Sequence, residues 1–337
     1  MSSNVRCYLP HEEYLVTRNT IQGEFLLLPT DAVNHILAYS LGLAQVANRV
    51  ELHSFCFQAN HIHKTLADPF LEMSDFMRDF ARNSALALNR HHGRQGALWE
   101  PGSFHATILG TSEKILDRTS YVVTNPVKDG LVSAVSEWPG LVSTNFTTAS
   151  VRKIRWVKGV RWSEGRRSKY VRIERPDPEA PRAYFTKSRP EEVEIELTAP
   201  RAFWGDPRAF WRECERRARE TERAVQELFR REGRRFMGAE RILSQSPRKR
   251  PSRGLPGSTS RRLFVTACTK ELRKRIEARI ASFDERYREA WERFCGGERG
   301  VKFPNGTFEM RRRYGVKIAR PTSGDALVVT KLDSLRI

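Results

Sequence analysis

The chain has 337 residues, 39% of them hydrophobic, enough for two domains and at least one sizeable core. Its five cysteines (Cys7, Cys56, Cys214, Cys268 and Cys295) are scattered, which excludes zinc-ligand spacing and argues for a reducing compartment over a secreted disulfide framework. The formal net charge of +19 is unevenly placed: residues 1–150 hold 11 Lys and Arg against 14 Asp and Glu, residues 151–337 hold 48 against 26. Such asymmetry points to a polyanion partner for the second half, nucleic acid before membrane.

The N-terminus, MSSNVRCYLPHEEY, lacks the apolar segment of a signal peptide. No run of about 18 apolar residues, the order a membrane span needs, occurs. The expectation is a cytosolic, soluble protein with no membrane partner.

In chain order, EEYLVTRN (12–19) reads as a strand. Residues 30–50 read as a helix capped by Thr30 or Asp31, with an apolar stripe of Val33, Ile36, Leu37, Leu41 and Leu43. ELHSFCFQANHIHKTL (51–66) reads as one strand on which Phe55, Phe57, Ala59, His61 and His63 share a face. Residues 71–93 form a helix with Leu71, Phe76, Phe80, Leu86 and Leu88 largely inward and Gly93 as its stop. A third strand over 102–110 and a short helix over 112–127, closed by Pro126, complete this half. Strands alternating with helices fit either a doubly wound parallel sheet or a small mixed α+β sheet. Beyond residue 150 come the basic stretch 151–175, a charged strand over 191–200, a long helix over 206–236, a Pro/Gly/Ser/Arg linker over 246–262, a helix over 270–294 and a short hairpin over 301–316.

His61 and His63, two apart on a strand, offer two imidazoles to one cation, which needs further ligands. Tyr121 and Asn125, four apart in TSYVVTNPV, share a helix face. Tyr121 supplies a phenol able to attack phosphorus and Asn125 a carbonyl oxygen able to bind metal. Asn125 precedes Pro126, which works against helical geometry there. A bare His-x-His pair is as often two ordinary histidines near a sheet end, and a lone tyrosine is more often a half-buried aromatic.

ANHIH (59–63) resembles the His-hydrophobic-His motif of single-tyrosine transposases, and YVVTNPVKDGLV (121–132) resembles the nucleophile signature of their REP-associated branch. YLVTRN (14–19), FMRDFARNSALALNRHHGRQGALWE (76–100) and WPG (138–140) are similar to that branch in the same order, so the resemblance covers roughly residues 10–145. EEVEIELT and FPNGTFEMRRR resemble long members with a C-terminal extension. The resemblance implies an α+β, ferredoxin-like antiparallel sheet with helices on one or both faces, residues 24–28 supplying a missing strand, followed by a basic, mainly helical extension. It divides the chain into a catalytic domain (1–148), a basic extension with a long charged helix (149–245), a linker (246–262) and a C-terminal helix and hairpin (263–337). It also implies a DNA transposase in which His61, His63 and Asn125 hold magnesium or manganese and Tyr121 forms a 5′-phosphotyrosine with single-stranded or hairpin DNA. Relatives often carry a His or aromatic residue at Leu15, and Met-Pro or Met-Ser at Gln58 and Ala59.

Candidate DNA contacts are Arg18, Asn60, Arg78, Arg82, Arg90 and Lys128. As a group, Arg155, Trp156, Arg161 and Trp162 are stronger, since 151–175 mixes ten cations with aromatic rings. The long helix interleaves Arg and Glu at i,i+4, which favours internal pairing over DNA contact. Two other classes compete: a catalytically silent hairpin-binding module, and a metal-dependent phosphodiesterase in which water attacks. Both a monomer and a homodimer fit.

Overall fold

A computed structural model describes residues 12–101, 104–143, 152–155, 192–251, 264–266 and 269–320. Strand β1 (Glu13–Asn19) is followed by helix α1 (Asp31–Ala47), strands β2 (Glu51–Phe57) and β3 (His61–Ala67), helix α2 (Met73–His91), strand β4 (His105–Leu109) and helix α3 (Ser112–Lys128). The sheet runs β2-β3-β1-β4, antiparallel throughout, and a fifth strand, β7 (Phe264–Thr266), adds parallel to β4. The fold is therefore mixed α+β with a four-stranded antiparallel sheet; a doubly wound parallel sheet is not present among the described residues.

The stretch 51–66 is two strands, not one. The chain reverses through Gln58–Asn60, where the Gln58 amide donates to His61 O at 2.9 Å. Neither Gly nor Pro marks this turn, and apolar residues flank it on both sides, so the sequence pattern conceals the reversal. The consequence is a change of face. Cys56 pairs with His63, while Phe55 pairs with Lys64 and Phe57 with Ile62. Directly opposed residues share a face, so the two phenylalanines lie on the side away from the histidines, where the Phe57 ring packs on Phe80 of α2 at 5.8 Å and on Phe55 at 5.7 Å. Residues 24–28 form a turn and extended loop, not the missing strand.

Helices α1 and α2 pack together, and α2 covers the apolar face formed by Tyr14, Val16, Ile62 and Leu66, all buried. Thr30 caps α1 by accepting from the Val33 amide at 3.3 Å. On α2, Leu86 is exposed, against the expectation, because the inward stripe runs through Phe76, Phe80, Ala87 and Leu88 instead. The opposite face of the sheet carries α3, which lies against β2 and β3.

The extension folds back onto this body. Strands β5 (Arg152–Arg155) and β6 (Glu192–Ile195) pair with each other and lie beside α1. A Cβ at Gly42 of α1 would come within 2.6 Å of Val193 Cγ2, so this close approach requires glycine. Helix α4 (Pro207–Arg231) packs on α3, tied by Arg217 to Glu113 at 2.9 Å and Asp117 at 2.6 Å. A short α5 (Ala239–Leu243) follows, and α6 (Lys270–Cys295) carries Ile276 and Phe283 into the main core. The expected hairpin over 301–316 differs. Strands β8 (Lys302–Phe303) and β9 (Lys317–Ile318) are parallel and bracket helix α7 (Phe308–Tyr314), since parallel strands need a crossover. That crossover seals a small second core of Phe303, Met310 and Val316. No helix among the described residues is long and apolar enough to cross a membrane.

Candidate functional site

Strand alternation places His61, His63 and Thr65 on the α3 side of β3. Across β1, Asn19 pairs with His61 and Thr17 with His63. The face is polar and small: Ser54 and Thr65 share a 2.6 Å hydrogen bond, and Thr119 of α3 meets Thr65 at 3.3 Å. Small side chains here let α3 lie close, and that proximity brings Tyr121 to the histidines. The His61 and His63 rings are 4.8 Å apart, and His63 and Tyr121 are 5.7 Å apart, both edge-on.

Each imidazole is prepared differently. His61 Nδ1 is 2.8 Å from Asn60 Oδ1, which fixes Nδ1 as the proton-bearing nitrogen and leaves Nε2 with its lone pair. Asn60 is itself held, its backbone oxygen accepting from the Thr20 amide at 2.8 Å and hydroxyl at 3.0 Å. His63 Nδ1 is buried and has no hydrogen-bond partner. Burial, and secondarily His61, pushes the His63 pKa down to about 3. Burial also lowers His61, opposed by the Asp129 carboxylate. Both rings are therefore neutral near pH 7, the form in which imidazole binds metal.

Asn125 remains in α3 despite Pro126, which sits inside the last turn. Helical geometry survives because the Asn125 carbonyl still accepts from the Asp129 amide at 3.0 Å. Its carboxamide is buried, with Oδ1 accepting from Gln58 Nε2 at 2.9 Å and Nδ2 without a partner. Turning both amides over would reverse that bond and leave the Asn125 oxygen where the unpaired nitrogen now lies, since the two ends are alike in shape. Tyr121, half-buried, has its phenol raised by burial and by Asp129, with Asn125 and Arg118 opposing. Lys128 Nζ lies 4.8 Å from its ring centre and Arg118 Cζ 5.7 Å. Two cations thus flank the phenol from its own helix.

The structure brings His61, His63, Tyr121 and Asn125 together, with Lys128 beside them. Asn60 is buried behind His61 and turned away from solvent. Arg18 projects from the other face of β1, since it pairs with Ile62, and lines a cleft there together with Arg78 and Arg82 of α2. Arg155 falls in β5; Trp156, Arg161 and Trp162 lie outside the described residues. Only the turn at 58–60 brings Gln58 to Asn125, so the sequence pattern gives no sign of this pairing. Among the described residues, no group of three or more His, Cys, Asp or Glu could hold a metal ion.

No family model matches the chain, and no curated protein matches it. Solved structures that are similar include the following two. One is a REP-associated tyrosine transposase bound to a REP hairpin, 21% identical, covering 43% of this chain and 83% of its own, with a TM-score of 0.35. The other is a protein from Deinococcus radiodurans with a provisional transposase assignment, 21% identical, covering 37% of this chain and 97% of its own, with a TM-score of 0.25. Overlaps this loose transfer neither a site nor an activity.

Proposed function

We propose that the chain is a DNA transposase that cleaves and rejoins single-stranded or hairpin DNA through Tyr121. The reading rests on the residues themselves: the phenol of α3 stands against His63, with His61 and Asn125 around it. In this reading the β-α-β-β-α-β run with its 2-3-1-4 sheet is a ferredoxin-like platform whose α3 side is the working face.

The donor set of two neutral imidazoles and one carboxamide oxygen, with orphaned buried atoms at His63 Nδ1 and Asn125 Nδ2, fits a divalent cation. Magnesium or manganese, held by His61, His63 and Asn125, would supply positive charge that polarises the scissile phosphate. Asn60 sets the tautomer and tilt of His61, and Gln58 sets the Asn125 amide. Tyr121 Oη forms the new bond to phosphorus as the bond from phosphorus to the 3′ oxygen breaks; the phenol loses its proton and the departing oxygen gains one. The products are a 5′-phosphotyrosine and a 3′-hydroxyl, and attack by a hydroxyl on the same phosphorus reverses the step. One phosphodiester-level bond replaces another, so no nucleotide triphosphate is consumed. Lys128 and Arg118 hold the phosphate beside the phenol.

The test is covalent capture. Single-stranded oligonucleotide with manganese gives a protein–DNA adduct in wild type, which Tyr121→Phe abolishes with cleavage lost alongside. Cleavage that persists in Tyr121→Phe establishes a phosphodiesterase instead. Binding without cleavage in wild type establishes a silent hairpin-binding module.

A further inference from the structure

The far end of α6 carries the small second core. Ile276 sits in the main core and Ala290 in the small one, roughly 20 Å further along the helix axis. Strand alternation sorts this unit into two faces. Val301, Phe303 and Val316 are buried, while Lys302 and Lys317, one position after the two valines, stand exposed.

Lys302 and Lys317 are register partners of the parallel pair β8–β9. Neighbouring strands lie about 4.8 Å apart, so two ammonium groups share one face and repel. Among the described residues no carboxylate pairs with Lys302, Lys317 or Arg320. A cleft of about 620 Å³ opens beside them, lined by Lys302, Arg311, Lys317 and Arg320 and by the turn at Gly315. Arg311 has a contact of its own, so the charge on offer is that of the two lysines and Arg320. Neither a carboxylate nor an aromatic ring occurs among the described residues that line the cleft. Residues 299–320 together hold seven Lys and Arg against one Glu.

Like charges fixed side by side by a strand register are a standing cost that a bound anion relieves. The lining also says which anion. An unpaired base needs a ring to stack on, and this wall offers cations alone, which take phosphates and leave bases untouched. That suits a double helix, whose bases are already paired and whose backbone carries one charge per ~1.7 Å of axis. A concave wall receives a rounded backbone, whereas a flat lipid surface meets only its rim.

We infer that the cleft between β8–β9 and α7 is a grip for the phosphate backbone of duplex DNA, with Lys302, Lys317 and Arg320 on the phosphates and no base read. The inference rests on the proposed DNA function and adds to it a second, sequence-independent hold, set apart from the tyrosine by the length of α6.

Binding of the full chain to a labelled duplex of arbitrary sequence, followed by anisotropy across a salt series, tests the grip without needing catalysis. The variant with Lys302→Gln and Lys317→Gln together is expected to bind roughly tenfold more weakly at low salt, with a log–log salt slope shallower by about 2. Lys270→Gln with Lys274→Gln, two exposed lysines at the other end of α6, removes the same charge and is expected to leave the slope unchanged. In wild type, Lys302 and Lys317 are expected to be shielded from acetylation by bound duplex, as read by mass spectrometry. An unchanged slope in the first variant, an equal change in the second, or lysines that acetylate as fast with duplex as without each overturn the grip. So does inorganic phosphate competing as well as duplex, or phosphatidylserine vesicles shielding the lysines where duplex does not. If Tyr121 forms its adduct while the slope stays unchanged, the grip fails and the transposase reading stands. Shielded lysines and a shallower slope with no adduct leave a duplex-gripping protein and remove the transposase.

Discussion

Lys64 is fully buried on the sheet face behind the histidines, with Nζ 3.6 Å from the ring centre of Phe80 and 3.8 Å from Met77 Sδ. Burial, helped by Arg18, drives its pKa well below the ordinary lysine value, so the folded chain disfavours the ammonium form. The unfolded chain keeps the proton up to the usual lysine pKa and therefore binds more protons. Stability must then rise with pH between the two pKa values. Lys64→Met keeps the volume and removes the amine; it is expected to raise stability by about 1–3 kcal/mol at neutral pH and to flatten that rise, as urea midpoints at neutral and alkaline pH will show. A midpoint that falls in the variant contradicts this account. At the same scale, the sequence made His61, His63, Tyr121 and Asn125 legible, because spacings of two and four map directly onto strand and helix faces. Gln58 and the true face of Phe57 were not legible, since both depend on a reversal that no Gly or Pro announces. Arg18 was legible as a cation but not as facing away from the histidines, which follows only from its pairing with Ile62.

Helix α3 works because its ends and its outer surface are each held. Thr111 caps its start by accepting from the Lys114 amide at 3.2 Å. Its end turns through Gly130 at φ +71, where the Leu131 amide returns to Pro126 O at 2.9 Å. Phe229 of α4 rests against that glycine, and a Cβ there would lie 2.9 Å from the ring. Gly130→Ala combines left-handed strain with a clash against an aromatic ring; it is expected to cost about 2 kcal/mol and to speed amide exchange at the C-terminal end of α3 and along the facing turns of α4. Unchanged exchange there would mean that α4 contributes nothing to the placement of Asn125. Helix periodicity made α1, α2, α3, α4 and α6 readable to within a few residues at their ends. That α4 serves as a cover for α3 was not readable, because its Arg and Glu residues pair along their own helix as well: Arg217 reaches Glu113 and Asp117 while also meeting Glu213 at 2.7 Å.

At the scale of the molecule, both margins of the central sheet are occupied. Beyond β2, the Leu141 carbonyl accepts from the Phe57 amide, the Ser143 amide donates to Phe55 O, and the Thr198 amide donates to Leu52 O, at 2.8–2.9 Å. Beyond β4 lies β7, only three residues long. Short outer strands and covered ladders leave little for a second copy to pair with. The full chain is accordingly expected to sediment as a monomer; a stable dimer would show that a surface other than the sheet joins two copies. The sequence indicated an extension but not this closure, because three residues of β7 carry no periodic signal and the contact joins positions about 155 residues apart.

That separation has a consequence for synthesis. A ribosome adding ~5–20 residues per second finishes β4 on the order of ten seconds before it delivers the strand that shields it. During that interval the nascent protein shows an unguarded hydrogen-bonding rim, so shortened versions ending near residue 143 should clump where the intact polypeptide stays dispersed.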